Sequence, residues 1–207
     1  MNIAHIEERS FIYGPGCRFV IWVQGCSIRC KGCWNREMWG SEPNIVLSVD
    51  KIFEMIVAEK GAIEGITVLG GEPLDQTAEC VELLRRCGAA GLTTMLFTGY
   101  EIGEIRDRRL FDLCDILITG RYNESQRTLD REWIGSTNQE IHFLGEAYRG
   151  YELKNANYME IGIDEDGSVT LLGFPNKPET PIPPEHPETL FETLPGTLSE
   201  TLSGTLL

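Results

Sequence analysis

Three cysteines are the residues of this 207-residue chain whose spacing points most directly to chemistry. Cys26, Cys30 and Cys33 lie in the stretch QGCSIRCKGCWN, in a C-x3-C-x2-C arrangement. A structural zinc site is closed by four protein ligands and disulfides use cysteines in pairs, so this loop is one thiol short of either. Three thiolates can instead hold three irons of a 4Fe-4S cluster and leave the fourth iron without a protein ligand. The spacing therefore predicts a metal centre with an open coordination position.

Two other metal centres are alternatives for the same loop, and each needs a fourth protein ligand. A zinc ion would need a fourth ligand from elsewhere in the chain, for which Cys17 or His5 is available. A ferredoxin-type electron carrier would need a fourth cysteine close by, which this stretch lacks. The other four cysteines lie among apolar neighbours or in predicted helices, where a free thiol behaves as a small hydrophobic group, and are predicted to be structural: Cys17, Cys80, Cys87 and Cys114.

The composition excludes several classes of partner. The net charge is −14, from 18 Lys and Arg against 32 Asp and Glu, whereas nucleic acids and anionic membranes attract basic surfaces. No run of 18 apolar residues occurs, and the N-terminal MNIAHIEERSF carries charges where a signal peptide has an apolar core. We therefore expect a cytoplasmic protein without nucleic-acid or membrane partners, whose seven cysteines remain free in a reducing compartment.

Apolar runs alternate with amphipathic helical patterns along the first two thirds of the chain. Four buried strands are predicted, RFVIWVQ at 18–24, ITVLGG at 66–71, TTMLFTG at 93–99 and CDILITG at 114–120. Strict alternation of strand and helix predicts a parallel sheet, and only four or five such units fit, which indicates an α/β fold of the partial (β/α) TIM-barrel type. Ligands bind at the carboxyl ends of such strands, so the polar stretches QGCSIRC, GGEP, TGYE and TGRYN are expected to converge.

Three segments are predicted. Residues 1–144 form the barrel core, and 145–175 form an extension in which Tyr158–Ile163 and Ser168–Gly173 flank the turn DEDG as a β-hairpin. Residues 176–207 repeat PETL, FETL, PGTL, SETL and SGTL, and seven of the ten prolines lie between 175 and 195. Proline removes backbone donors and one leucine per repeat buries little, so a flexible low-complexity tail is predicted.

From about residue 12 to residue 144, the chain resembles radical S-adenosylmethionine enzymes of the glycyl-radical-activating group. The motifs that carry this resemblance occur in the family's order and are GPGCR (14–18), QGCSIRCKGCWN (24–35), GGEP (70–73), FTGY (97–100), DILITGRY (115–122) and GSTNQ (135–139). The resemblance implies one 4Fe-4S cluster on Cys26, Cys30 and Cys33, with S-adenosylmethionine bound at the open iron. It also implies one-electron cleavage of that cofactor to methionine and a 5′-deoxyadenosyl radical, the difficult chemistry being the cofactor's.

The resemblance implies partners as well. The radical would abstract hydrogen from a glycine of a partner glycyl radical enzyme of the anaerobic ribonucleotide reductase type, and a flavodoxin or ferredoxin type donor would supply the electron. Residues in the matching motifs are expected to bind the cofactor: Gly32, Cys33, Trp34, Gly70, Gly71, Glu72, Thr98, Gly99, Arg121 and Asn138. The Glu72 carboxylate suits the methionine ammonium. Asn138 alternatively caps the next element, and Arg18 is expected to be a solvated surface arginine.

Two departures from the family pattern keep other functions open. Thr119 stands where the family usually has Asp, and the chain continues past residue 144, near which the family chain normally ends. The alternatives are radical modification of a peptide or small metabolite, and a non-catalytic zinc-stabilised interaction module.

Overall fold

The computed structural model describes residues 1–163 and 166–174, so the predicted tail at 176–207 lies outside the described residues. The described part contains a seven-stranded sheet, a separate two-stranded hairpin and three α-helices. The strands of the large sheet are β1 Asn2–Ser10, β2 Arg18–Val23, β3 Ile45–Val46, β4 Gly65–Gly70, β5 Thr93–Phe97, β6 Ile116–Thr119 and β7 Glu140–Phe143. The hairpin strands are β8 Met159–Ile163 and β9 Val169–Gly173, and the helices are α1 Val49–Glu59, α2 Thr77–Ala89 and α3 Leu110–Leu113.

The sheet has the strand order β3-β1-β2-β4-β5-β6-β7. Its four central strands, β2, β4, β5 and β6, are parallel and correspond to the four predicted strands, which confirms the α/β prediction. The outer strands β1, β3 and β7 pair antiparallel and were not predicted. Arg18–Val23 is therefore the second strand and not the first. β1 was not predicted from the sequence because its polar residues outnumber its apolar residues.

Helices α1 and α2 cover one face of the sheet. α1 begins after Ser48, whose hydroxyl accepts from the backbone N–H of Lys51 at 3.1 Å, and it buries Ile52 and Ile56 one turn apart. α2 packs on the same core through a second apolar stripe. On the opposite face of β2, Val20 and Trp22 pack with Leu69, with Met38 of the short 3-10 helix Arg36–Met38 and, from the hairpin, with Leu172. The hairpin thus covers the face of the sheet that the helices leave open.

Arg18 is fully buried, so its prediction as a surface arginine is wrong. Its guanidinium donates to the hydroxyl of Thr67 at 2.7 Å and to the carbonyl of Ile66 at 2.5 Å, and burial lowers its pKa. A Cβ on Gly14 would lie 2.5 Å from Cδ of Arg18, and one on Gly65 would lie 2.9 Å from Nη1. Two glycines far apart in sequence therefore make the space for this side chain, which the local pattern did not reveal.

Among the described residues, no helix is long and apolar enough to cross a membrane. Cys17, Cys80, Cys87 and Cys114 are all buried, which confirms their prediction as structural residues. Burial raises the pKa of Cys87 and of Cys114 to about 12, so these thiols remain protonated.

Candidate functional site

The carboxyl ends of the four parallel strands meet at one edge of the sheet around a cavity of about 160 Å³. The four polar stretches therefore converge as predicted. Of the predicted site residues, those lining the cavity are Cys26, Cys30, Cys33, Gly70, Gly71, Glu72, Thr98 and Gly99. This edge of the sheet places all three loop thiols beside the glycine-rich ends of β4, β5 and β6.

The cysteine loop is fixed at its base by backbone contacts with the end of β4. The N–H of Gly71 donates to the carbonyl of Val23 at 2.8 Å, and the N–H of Glu72 donates to the carbonyl of Gly25 at 2.8 Å. A Cβ on Gly71 would lie 2.1 Å from that same Gly25 oxygen. Gly71 therefore lets the loop pack directly on the strand end, a packing role beyond the cofactor contact predicted for it.

The first half of the loop is held by Asp75, which lies in the short 3-10 helix Pro73–Gln76 after β4. Its two carboxylate oxygens accept from the backbone N–H and the hydroxyl of Ser27, each at 2.7 Å. Arg29 adopts a left-handed backbone conformation with φ of 51°, and its N–H points to Sγ of Cys26 at 3.5 Å. The loop thus curls around its first thiol.

The three loop thiols are free and half-buried. Burial raises the pKa of Cys26 and of Cys30, while backbone N–H groups of Arg29 and Tyr122 act in the opposite direction on the two sulfurs. Such N–H groups directed at sulfur stabilise thiolate ligands and tune iron–sulfur clusters.

The loop suits a three-cysteine cluster better than a closed single-ion site. Among the described residues, no three His, Cys, Asp or Glu side chains are grouped to hold a single metal ion, and this holds for the three loop cysteines as well. Cys17 precedes β2 whereas Cys26 follows it, so about 20 Å of strand at ~3.3 Å per residue separates them. His5 lies on β1 with its ring against Trp22. Neither proposed fourth zinc ligand joins the loop, whereas three thiols facing one cavity fit a cluster with an open iron.

Glu72 links the ends of β4 and β5 from a buried position, with 1% of its surface exposed. Its Oε1 accepts from the N–H of Leu74 at 2.9 Å and from the hydroxyl of Thr98 at 2.7 Å, and its Oε2 accepts from the N–H of Gly99 at 2.8 Å. Burial raises its pKa, and these three hydrogen bonds oppose the rise. A carboxylate has about four acceptor positions, so one on Oε2 remains for a donor in the cavity.

Gly32 and Trp34, on either side of the third cysteine, do not line the cysteine cavity. Gly32 has φ of 77°, and a Cβ there would meet the side chain of Glu124 at 2.8 Å. The Trp34 ring is 42% exposed and packs edge-on against Phe174, with ring centroids 5.6 Å apart. Trp34 therefore faces the C-terminal hairpin and not the sheet core.

Arg121 and Asn138 lie together outside the cysteine cavity. Arg121 pairs with Glu104 through contacts of 2.6 and 3.1 Å, and Nδ2 of Asn138 donates to the Arg121 carbonyl at 2.8 Å. Both line a separate surface depression. Thr119, the departure from the family pattern, is buried with its hydroxyl 2.9 Å from Nε2 of His142 on β7.

Eight cavity residues were not among the predicted site residues: Ile28, Asn35, Leu69, Pro73, Phe97, Gly120, Tyr122 and Gln139. All eight lie inside or directly beside the motifs named above, so position in a motif was the available signal. Gln139, for example, accepts from the N–H of Gly135 at 2.9 Å and donates to the carbonyl of Gly120 at 3.2 Å, which ties GSTNQ to the end of β6.

A second cavity of about 210 Å³ adjoins the first and shares six lining residues with it: Cys33, Asn35, Leu69, Phe97, Tyr122 and Gln139. Its remaining walls are largely aromatic and come from β2, from the loop at 132–135 and from the hairpin. The site therefore consists of a glycine-lined cavity at the thiols and an aromatic cavity over the open face of the sheet.

Comparisons with known proteins match most of this region. A family model described as "4Fe-4S single cluster domain" matches residues 12–142. The anaerobic ribonucleoside-triphosphate reductase-activating protein of Enterobacteria phage T4 is 32% identical over 146 residues, which is 68% of this chain and 93% of that protein. The protein of the same name from Escherichia coli K12 is 28% identical over 153 residues, covering 70% of this chain and 99% of that protein.

Two further similarities are weaker. The pyruvate formate-lyase-activating enzyme of Listeria monocytogenes is 34% identical over 99 residues, 46% of this chain and 40% of that protein. A crystal structure of QueE from Escherichia coli is 15% identical and covers 47% of this chain and 51% of that one with a TM-score of 0.35.

Proposed function

This chain belongs to the 4Fe-4S single cluster domain family, among the radical S-adenosylmethionine activating enzymes, and we propose that it installs the glycyl radical of an anaerobic ribonucleoside-triphosphate reductase. The observation that carries the proposal is the loop of three free thiols at the carboxyl ends of the parallel strands, facing a cavity lined by GGEP and TGY. The zinc-stabilised interaction module is set aside, because the family is one of 4Fe-4S proteins and neither Cys17 nor His5, the fourth zinc ligands considered, lines the cysteine cavity.

Cys26, Cys30 and Cys33 would hold the cluster. When bound, the cluster and S-adenosylmethionine together supply one-electron reductive cleavage to methionine and a 5′-deoxyadenosyl radical. The electron comes from an external reductant, for which we propose the flavodoxin or ferredoxin class. The bound cofactor would then take one hydrogen atom from a glycine Cα of the partner, which would leave 5′-deoxyadenosine and a glycyl radical.

The residues of the chain position and shield this chemistry. The free acceptor position on Oε2 of Glu72 is available to the methionine ammonium, and its other bonds hold Thr98 and Gly99 at the same wall. Gly70 and Gly71 bring backbone to the cavity wall. The aromatic side chains of the second cavity would shield the path between cofactor and target from water once both are bound, as radical chemistry requires.

A cytoplasmic location is part of the proposal. It is supported by seven free cysteines, which a reducing compartment preserves.

The test is anaerobic reconstitution with iron and sulfide, followed by dithionite and S-adenosylmethionine. We expect 5′-deoxyadenosine from the wild type and none from Cys30→Ala, whereas Cys80→Ala, which removes a buried thiol outside the site, should retain cleavage. Addition of the anaerobic reductase should produce a glycyl radical signal by electron paramagnetic resonance. A fully loaded cluster without cleavage would remove the proposal, and cleavage without a glycyl radical would favour a peptide or small-metabolite substrate.

A further inference from the structure

The aromatic cavity contains one charged side chain, that of Glu132. Eight of the 18 residues that line the cavity are aromatic, and Glu132 is the only Asp, Glu, Lys or Arg among them. Only 4% of Glu132 is exposed, and no Lys, Arg or His side chain among the described residues pairs with it. Burial of a carboxylate without a cation is costly, so the remaining contacts of this side chain indicate its role.

The Glu132 carboxylate is hydrogen-bonded through one oxygen. Its Oε2 accepts from the backbone N–H of Lys154 at 2.9 Å and lies 3.5 Å from the Tyr151 hydroxyl. Its Oε1 has no donor among the described residues, yet protein atoms do not enclose it, since Nε1 of Trp39 is the only fully enclosed side-chain polar atom there without a partner. Because Glu132 lines the cavity and is otherwise buried, Oε1 faces the cavity.

The cations near Glu132 in the sequence lie elsewhere. Nζ of Lys154 lies over the Tyr158 ring, 5.8 Å from its centroid, and Arg131 is exposed. The Arg127 guanidinium stacks on Phe174, with Cζ 3.9 Å from the ring centroid, and does not line the cavity. The cavity therefore combines a carboxylate and aromatic rings with no positive charge from the described residues.

The amide side chains in the lining are already bonded within the protein. Gln139 and Asn35 donate to backbone carbonyls at the strand ends at 3.2 and 3.4 Å, and Asn157 donates to the carbonyl of Phe174. Oε1 of Glu132 is therefore the charged acceptor that a ligand can reach. A carboxylate accepts charge-assisted hydrogen bonds from a guanidinium or ammonium group, and aromatic ring faces attract the same cations.

We propose that Glu132 and the surrounding rings bind an organic cation, a guanidinium or ammonium group carried by the molecule on which the radical acts. This inference rests on the proposed function and adds a charge requirement for its substrate. The cavity volume of about 210 Å³ is below the ~300–1,000 Å³ usual for small-molecule pockets, which suits a single cationic group. A protein side chain and a free small molecule could both supply this group.

The test titrates the reconstituted full-length protein with N-acetylarginine amide, with agmatine and with the uncharged N-acetylcitrulline amide, by anaerobic calorimetry. Both guanidinium compounds should bind at least about tenfold more tightly than the citrulline compound. Glu132→Gln removes the charge but keeps an acceptor for the Lys154 N–H, so it should lose this preference and keep the wild-type urea midpoint. The matched control is Asp130→Asn, which removes a charge from an exposed residue outside the cavity and should bind like the wild type.

The relative affinities of the two cations identify the source. Tighter binding of N-acetylarginine amide than of agmatine supports a protein side chain, and the reverse order supports a free small molecule. Equal affinity for charged and uncharged compounds, or a preference that survives in Glu132→Gln, would overturn the inference and leave Glu132 as a fastener for the 151–154 segment. Displacement of the cation by S-adenosylmethionine would also overturn it, because Glu132 would then serve the cofactor.

These measurements do not depend on catalysis. A wild type that binds the cation through Glu132 but cleaves no S-adenosylmethionine would refute the proposed function and leave the cation site standing. A wild type that cleaves S-adenosylmethionine and does not distinguish the probes would refute this inference alone.

Discussion

Gly71→Ala tests whether the cysteine loop depends on direct backbone packing against β4. The added Cβ would lie 2.1 Å from the Gly25 oxygen, 2.8 Å from the Gly25 carbonyl carbon and 3.1 Å from the Met38 oxygen. All three neighbours are backbone atoms, so no side chain can swing away. The loop must therefore move by about an ångström or more, since ordinary contacts begin near ~3.4 Å.

The cost follows from two contributions. Overpacking of a well-packed site costs ~1–3 kcal/mol. The displacement also strains the hydrogen bonds from Gly71 to Val23 and from Glu72 to Gly25, each 2.8 Å long and worth ~0.5–1.5 kcal/mol net. We expect a loss of about 3 kcal/mol in the free energy of unfolding, which lowers the urea midpoint by about 1–1.5 M at an m-value of ~2–3 kcal/mol/M.

The assay is urea unfolding of the cluster-free protein together with iron and sulfide content after reconstitution. Gly88→Ala is the matched control, because Gly88 is exposed in α2 with nothing within 4 Å of its added Cβ. That change should stabilise the protein by ~0.5–1 kcal/mol, since alanine is the better helix former. If Gly71→Ala unfolds at the wild-type midpoint and loads a full cluster, the loop is not held in the way described.

Three further predictions concern single buried or half-buried groups. In the folded cluster-free protein, iodoacetamide should label the three half-buried loop cysteines. Cys80 should react only after denaturation, because it is buried and burial raises its pKa. Peptide mass spectrometry measures the labelling of each cysteine, and equal labelling of all four would contradict this assignment. Arg18→Met should lower the free energy of unfolding by about 3 kcal/mol because it removes buried hydrogen bonds from the guanidinium to Thr67 and to the Ile66 carbonyl, and an unchanged urea midpoint would disprove this. Burial raises the pKa of Glu72, so the folded protein holds that proton more tightly than the unfolded chain, and stability falls as pH rises from ~4.3 through the folded pKa. Glu72→Gln should therefore gain stability relative to the wild type over that interval, and a constant difference in urea midpoints across it would refute the shift.

The four parallel strands and helix α1 could be predicted from the sequence because local patterns determine them. Strands β2, β4, β5 and β6 are short apolar runs ending in glycine, and α1 shows both its cap and its apolar stripe. β1 and β7 were not predicted, because outer antiparallel strands with one half-solvated face carry too many polar residues to stand out. The hairpin was predicted from its Asp-Gly turn, but nothing local indicated that it would cover the open face of the sheet.

The candidate site likewise has a part that sequence motifs predict and a part that only the three-dimensional packing shows. The loop cysteines, GGEP and TGY were found because each motif has its own spacing, and the parallel sheet brought them together. Arg121 was predicted at the cofactor because it follows a strand end, and Asn138 because it lies in GSTNQ; the structure pairs Arg121 with Glu104 and bonds Asn138 to the Arg121 carbonyl, and cofactor contact by either residue stays a prediction. The burial of Arg18 depends on space left by Gly14 and Gly65, which only the three-dimensional packing shows.

The contact between Arg18 and Tyr148 determines where this protein can be shortened. Nη1 of Arg18 donates to the Tyr148 hydroxyl at 3.2 Å, and that hydroxyl also lies 2.8 Å from Oγ1 of Thr93. Tyr148 follows the last residue of the family match, so a fragment cut at residue 142 would retain every recognised motif and still lose a partner of its buried cation. A fragment that retains the complete hydrogen bonding of Arg18 therefore has to extend past residue 148, and the extension contributes to the scaffold as well as to the site.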